Sequence, residues 1–86
     1  PVVRTTSGIV ASTSTEVINI HYFNTTAGVG RVNVRDGGPA GEIRIVLGGV
    51  AANSSVDYSL AQPAKFTQNV YIEFATGTGA VSVLMN

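Results

Sequence analysis

Few residues of this chain belong to types that could do chemistry. His21 is the only histidine among 86 residues, and there is no cysteine. His21 lies in a run of β-branched and aromatic residues that is typical of a strand. The sequence places no serine, cysteine or carboxylate where it would make this imidazole a general base. We therefore expect a structural or surface role for His21, while a catalytic triad stays open at this point.

Asp36 and Glu42 are the carboxylates that come nearest to a metal-binding pattern. They flank a turn made of glycine, proline and alanine. A calcium ion needs several more oxygen ligands at close spacing than this segment provides. An aspartate that opens a turn can instead accept hydrogen bonds from backbone N–H groups, and we interpret Asp36 in this way. We expect no bound metal and no cofactor.

Two glycine pairs and two glycosylation motifs are the remaining candidates. The pairs at residues 28–30 and 77–79 lack the third glycine and the following helix of a phosphate-binding loop, so they indicate turns. Asn24 and Asn53 each begin an Asn-x-Ser/Thr motif, which is frequent by chance in a chain rich in Ser, Thr and Asn. The sequence therefore predicts a protein that is not an enzyme.

The overall composition narrows the classes of partner. Charged residues make up 12% of the chain, hydrophobic residues make up 44%, and the formal net charge is zero. Nucleic-acid surfaces need clustered Lys and Arg, and no apolar run approaches the roughly 20 residues that cross a bilayer. We expect neither nucleic acid nor membrane as a partner. A charge-poor surface costs little free energy to desolvate, so it suits permanent protein contacts.

β-Strands must position these few polar groups. The central feature is a hairpin over residues 30–49, in which Val32 and Val34 alternate with polar residues before the turn, and Ile43, Ile45 and Leu47 do so after it. In the preceding strand, residues 16–24, alternation puts one set of side chains on one face and the other set on the opposite face. The first set is Ile18, Ile20 and Tyr22, and the second is Val17, Asn19, His21 and Phe23.

Further strands are predicted over residues 8–11, 56–60, 69–75 and 80–85, and the last two form a second hairpin. Pro63 belongs to a connection because it cannot donate to a strand ladder, and Phe66 fills the core from that connection. Residues 1–7 form either a docking arm or an edge strand. The chain is thus one all-β domain, residues 1–86, folded as a compact antiparallel β-sandwich or jelly-roll-like barrel of about seven or eight short strands.

Four large apolar side chains lie opposite the predicted core. They are Phe23, Val46, Tyr71 and Leu84. Burying each would contribute roughly 1.5 to 3 kcal/mol, so we predict that they form a subunit interface. The other aromatic residues, Tyr22, Tyr58, Phe66 and Phe74, are assigned to the core, which leaves only Phe23 and Tyr71 for an aromatic sugar-binding platform.

The order of several motifs resembles that of the small β-sandwich virion proteins of tailed bacteriophages. A strand ends in an Asp-Gly turn at residues 32–37, Pro63 and Phe66 precede a Tyr-containing strand at 69–72, and a Gly-Thr-Gly turn at 77–79 leads to a Val-rich terminal strand. The resemblance covers residues 28–86. Gln68 and Asn69 depart from it, because an Asn-Gly turn is expected before the Tyr strand.

The resemblance implies a non-catalytic structural subunit of a virion, located on the capsid surface or in the neck or tail. The expected function is that of a capsid decoration or cement protein. The expected partners are further copies of the chain, with a trimer favoured, and the major capsid protein or other virion subunits. The alternative is a receptor- or glycan-binding module of a phage tail or fibre.

Overall fold

The computed structural model describes residues 2–86, which form eight β-strands and no helix, so this range contains no helix that could span a membrane. The predicted all-β class and strand number are confirmed. The strands are β1 (Val2–Arg4), β2 (Gly8–Ala11), β3 (Thr15–Asn24), β4 (Gly30–Asp36), β5 (Glu42–Val50), β6 (Ser55–Phe66), β7 (Val70–Thr76) and β8 (Gly79–Met85).

The strands form two four-stranded antiparallel sheets. One has the order β1-β8-β3-β6 and the other has the order β2-β7-β4-β5. Along the chain, β1 pairs with β8, β2 with β7, β3 with β6, and β4 with β5. The chain is therefore one long antiparallel ribbon that doubles back at the β4–β5 turn and rolls into two sheets. This strand order is that of a jelly roll.

The core lies between the two sheets and is made of inward-facing side chains from both. Its largest fully buried members are Tyr22 and Phe66, with Ile20 and Ile72 next in size. Valines from β3, β4, β7 and β8, together with Ile45, Leu47 and Val50 of β5, complete the layer. Tyr22 meets Phe74 edge to face, with ring centroids 6.1 Å apart. Phe66 is buried as predicted.

The β4–β5 hairpin is confirmed, but Ile43 does not join its buried face. Val34 lies opposite Ile45, whereas the next residue of β4, Arg35, lies opposite Ile43. Arg44 is therefore an extra residue that forms a bulge, and a bulge reverses the side to which the next side chain points. As a result Ile43 is 41% exposed, while Ile45 and Leu47 are buried.

A second bulge corrects the predicted faces of β3. Val17 and Ile20 are both fully buried although they are three residues apart, and Ile18 is only half-buried. The strand register shifts between Val17 and Asn19, where the single residue Ile18 faces residues 60–63 of β6. The prediction placed Ile18 on one face with Ile20 and Tyr22, but the bulge leaves Ile18 half-buried and brings Val17 into the core with them.

The same irregularity explains Pro63, which lies inside β6 and not in a connection. β6 is an edge strand, so one side of its backbone makes no ladder. Pro63 also belongs to the segment 60–63 that has no partner in the register with β3. A residue without a backbone N–H is tolerated at an edge or a bulge, and Pro63 occupies both.

The predicted second hairpin is wrong, because β7 and β8 lie in different sheets. The turn between them is a corner that crosses the sandwich, with Gly77 at a φ of 83°. The Thr78 carbonyl accepts a hydrogen bond from the Thr25 backbone, and the Thr26 hydroxyl accepts one from the Thr78 backbone N–H. The β3–β4 connection thereby holds the corner and directs β8 into the other sheet.

The described residues of the N-terminal segment contain an edge strand, which is one of the two predicted alternatives. Val2–Arg4 pairs with β8 of the same chain, and the chain then crosses to the other sheet. The Arg4 guanidinium holds this corner by donating to the carbonyls of Thr6, Ser7 and Ile9. Pro1 lies outside the described residues, and a docking role for residues 1–7 stays a prediction.

Candidate interaction faces

The four predicted interface residues do not form one patch. Phe23 and Leu84 lie on the outer surface of the sheet that contains β3, here called the β3 face. Val46 and Tyr71 lie on the outer surface of the sheet that contains β4, here called the β4 face. Phe23, Leu84 and Val46 are 41%, 43% and 47% exposed, whereas Tyr71 is half-buried. The structure therefore separates the predicted interface into two pairs on opposite sides of the sandwich.

The strand register brings a polar row onto the β3 face around His21. Asp57 of β6 lies opposite His21 on one side, and Ser82 of β8 lies opposite it on the other. The His21 Nδ1 atom is 3.5 Å from Asp57 Oδ1, and the Asn19 amide donates to the same oxygen at 3.0 Å. Sequence reasoning missed this row, because the partners are 36 and 61 positions away and only the register of three strands aligns them.

This row has the composition of a catalytic triad without its closed hydrogen-bond chain. The carboxylate and imidazole are in contact, but no hydrogen bond joins His21 to Ser82 among the described residues. Both members of the His–Asp pair are strongly exposed, at 45% and 61% of their side chains. The exposed pair supplies one net negative charge to the β3 face when the imidazole is neutral.

The β4 face is organised by the Glu73 carboxylate. Its Oε1 atom accepts one hydrogen bond from the Asn33 amide at 2.8 Å and another from the Arg35 guanidinium at 3.1 Å. Arg35 also donates to the Gly41 carbonyl, which ties the cluster to the β4–β5 turn. The Asn33 hydrogen bond is the main cause that lowers the pKa of Glu73, and the hydrogen bond and positive charge of Arg35 add to it against the opposing effect of burial.

Asn33 is the least expected member of this cluster. It lies in the central strand β4, is only 6% exposed, and its Oδ1 atom has no hydrogen-bond partner among the described residues. A buried amide oxygen without a partner costs free energy. The hydrogen bond from the Asn33 amide nitrogen to Glu73 opposes this cost. Around it the β4 face carries exposed apolar side chains from Ile9, Ile43 and Val46.

Asp36 does accept backbone hydrogen bonds, but not from its own turn as the sequence suggested. Its Oδ2 atom takes the Thr67 N–H at 2.9 Å and the Thr67 hydroxyl at 3.0 Å, and its Oδ1 atom takes the N–H groups of Gln68 and Asn69. These donors form the β6–β7 turn, so Asp36 joins two distant turns. The Arg44 guanidinium stands 3.7 Å away.

These donors keep the Asp36 carboxylate charged. Donation from the Thr67 N–H is the largest effect and lowers the pKa of Asp36 to about 2, with help from Gln68 and Asn69 and against the effect of burial. Backbone donors occupy both carboxylate oxygens. The described residues also contain no group of three or more His, Cys, Asp or Glu side chains placed to hold a metal.

The two glycosylation motifs differ sharply in accessibility. Asn24 is fully buried, and its amide nitrogen lies 3.0 to 3.1 Å from the carbonyls of Gly28, Val50 and Ala51. It therefore joins β3 to the end of β5 and is inaccessible in the folded chain. Asn53 is exposed and adopts a φ of 55° in the β5–β6 turn. Asn24 is a structural residue that its motif did not reveal.

One of the aromatic residues predicted to lie in the core is exposed. Tyr22 and Phe66 are buried, and Phe74 is half-buried against the core, as expected. Tyr58 was assigned to the core, but it is 42% exposed. It lies on the edge strand β6, where the opposite sheet covers it incompletely.

The described part of the chain offers two broad sheet faces. Residues 2–86 enclose no pocket. Comparison with models of protein families, with curated proteins and with solved structures gave no match to this chain.

Proposed function

We propose that this protein is a non-catalytic structural subunit that functions by assembly. The observation that carries the proposal is the pair of broad faces, each with exposed apolar side chains around a polar centre. Phe23 and Leu84 stand beside the His21–Asp57 pair on the β3 face. On the β4 face, Val46 lies directly opposite Asn33 at the centre of the cluster.

The chemistry of these faces supports contact with protein. Large apolar side chains gain free energy when a partner covers them. The Arg35–Glu73 pair is already formed within the face, so a partner covers a neutralised group instead of an isolated charge. A partner that binds only the folded chain also stabilises this small domain by mass action.

The setting we propose is the virion of a tailed bacteriophage, with the protein acting as a capsid decoration or cement protein. Its partners there are further copies of the chain and the major capsid protein or another virion subunit. The motif order resembles that of small virion proteins, and jelly rolls occur in viral capsid and lectin domains alike.

Co-sedimentation with shells tests the proposal. Purified protein is mixed with phage shells from the source of the sequence, and the pellet is analysed for stoichiometric binding and the shells for a raised melting temperature. We expect both, and we expect Phe23→Asp to reduce binding because it places a charge on the β3 face. Ala40→Asp is the control, since Ala40 is exposed in the β4–β5 turn. Shells that neither bind the protein nor gain stability would contradict the proposed function.

A glycan-binding module is the second candidate, and one observation favours it. Tyr71 lies directly opposite Arg35 in the strand register, beside the Glu73 carboxylate. An aromatic ring next to paired donors and acceptors is a common arrangement for holding a sugar. Binding of the isolated protein to a glycan array, lost in Tyr71→Ala and kept in Tyr58→Ala, would favour this function over assembly.

A further inference from the structure

One positive charge and one negative charge remain unmatched on the two broad faces. On the β4 face, Arg35 is paired with Glu73, whereas Arg31 is exposed and forms no ion pair within residues 2–86. Alternation along β4 puts Arg31 on the same side as Asn33. The β4 face therefore carries one uncompensated positive charge.

The β3 face carries the complementary charge. Glu16 and Lys65 lie directly opposite each other in the register of β3 and β6, so their charges offset each other. Within residues 2–86, Asp57 has the imidazole of His21 and the amide of Asn19 as its only partners, and 61% of its side chain is exposed. With the imidazole neutral, the β3 face has one uncompensated negative charge.

Contact between like faces of two copies would bring equal charges together, while contact between unlike faces would bring opposite charges together. Complementary potentials favour encounter and like-charge contacts oppose it. The two longer dimensions of the molecule are 34 and 26 Å, so a broad face is large enough to hold a contact of the ~800 Å² per partner that a standard stable interface buries.

We propose that the occupant of each broad face is a second copy of this chain, bound with the β3 face of one protomer against the β4 face of the next. Asp57 of one copy then faces Arg31 of its neighbour, and the apolar side chains of the two faces are buried together. This inference rests on the proposed function and names the self-contact within it. Such a head-to-tail contact forms a ring, of which the expected trimer is one example, or an open series.

Charge reversal with complementation tests the contact. Asp57→Arg makes both broad faces positive, and Arg31→Asp makes both negative. At low ionic strength and about pH 8, each single variant should have a dissociation constant for self-association raised at least about tenfold. The double variant should recover the wild-type mass, because opposite charges face each other again in every contact. The equimolar mixture should associate into species in which the two variants alternate, since only those contacts join opposite charges. The measurement is the mass from light scattering, relative to the protomer mass of 8.9 kDa.

The controls separate charge pairing from folding and from the proposed function. Ala40→Arg and Ala40→Asp each change the net charge by one unit, half the change of the test substitutions, at an exposed position of the β4–β5 turn, and they should leave the mass unchanged. Circular dichroism and thermal unfolding verify that each variant is folded. A wild-type monomer, an assembly that survives both single reversals, or a mixture that does not associate would overturn the inference. In each of these cases shell co-sedimentation by wild-type protein would still stand as the test of the proposed function.

Discussion

Asp36 and Asn69 cap each other's turns. Asp36 at the end of β4 accepts the Asn69 backbone N–H at 3.3 Å, and the Asn69 side-chain oxygen accepts the N–H groups of Gly37 and Gly38 at 3.1 and 2.9 Å. Because the β4–β5 turn belongs to one sheet and β6 to the other, this reciprocal bonding fastens the two sheets together at one end of the sandwich.

Removing the Asp36 carboxylate should destabilise the whole fold. Asp36→Ala leaves three backbone N–H groups of the β6–β7 turn without their acceptor. It also leaves the Arg44 guanidinium with the exposed Glu42 carboxylate as its remaining ion-pair partner within residues 2–86. We expect a loss of about 3 kcal/mol in the free energy of unfolding, measured by chemical denaturation. Asp57→Ala is the matched control on the exposed β3 face, and it should change stability by no more than about 0.5 kcal/mol. Equal effects of the two substitutions would contradict the capping role.

The two capping residues should also be energetically coupled. Asn69→Ala alone removes the acceptor of two backbone N–H groups, for which we expect a cost of about 1 to 2 kcal/mol. In the double variant with Asp36→Ala, the combined loss should be smaller than the sum of the single losses by at least about 0.5 kcal/mol, because each residue orders the turn that the other binds. Strict additivity in a double-mutant cycle would show that the two turns are independent.

The free energy of unfolding should decrease in acid because the Asp36 carboxylate becomes protonated. The folded chain lowers the pKa of Asp36 to about 2, so folding favours the charged carboxylate. The stability that this carboxylate contributes is fully present above the pKa of aspartate in the unfolded chain. It is lost as the pH falls through the folded pKa of about 2. The expected loss from Asp36 is about 2 kcal/mol between roughly pH 5 and pH 2. Glu73, whose pKa is also lowered, acts in the same direction.

Two measurements check this pH dependence. Urea unfolding of the wild type at a series of pH values should give a free energy that decreases toward acid, and Asp36→Asn should flatten the decrease. An NMR titration of the Asp36 carboxyl carbon in the wild type reports the pKa directly, and it remains informative if the variant does not fold. A titration midpoint near the ordinary aspartate value would contradict the strong capping.

Gly28 and Gly30 offer a matched pair at the opposite end of the sandwich. A Cβ atom at Gly30 would collide with the Tyr22 hydroxyl and lie 2.8 Å from the Cγ of Asn24, both of which are fully buried. At Gly28 the same atom meets open space. We expect Gly30→Ala to cost about 1 to 3 kcal/mol and Gly28→Ala to be neutral or slightly stabilising, as measured by thermal unfolding. Similar melting temperatures for the two variants would contradict the close packing at Gly30.

The errors of the sequence interpretation have a common physical origin. Alternation correctly predicted most of the core, including Val32 and Val34. It did so because the apolar and polar residues that alternate along a strand lie on its buried and exposed faces. It was wrong at Ile18 and Ile43, since a bulge depends on the partner strand. The contact of His21 with Asp57 and the bond of Asp36 to the β6–β7 turn are long-range, so the spacing along the chain carries no signal for them.

Substitutions that damage one broad face should stop assembly at the dimer if the β3 face of one copy binds the β4 face of the next. Phe23→Asp damages the β3 face and leaves the β4 face intact, whereas Val46→Asp does the reverse. Both wild-type side chains are exposed, so neither change should unfold the protomer. Each variant alone should be a monomer, because every contact needs one face of each kind. Their mixture should form a dimer and stop there, since the intact β3 face of one variant meets the intact β4 face of the other and only damaged faces remain.

The limiting mass distinguishes this arrangement from contacts between like faces. In sedimentation equilibrium, the equimolar mixture should approach twice the 8.9 kDa protomer mass and show no larger species as concentration rises. If like faces paired instead, one of the two variants would already dimerise alone through its undamaged face, and mixing would add nothing. Leu84→Asp, on the same face as Phe23, should replace Phe23→Asp in this experiment without changing the result, because both belong to the β3 face.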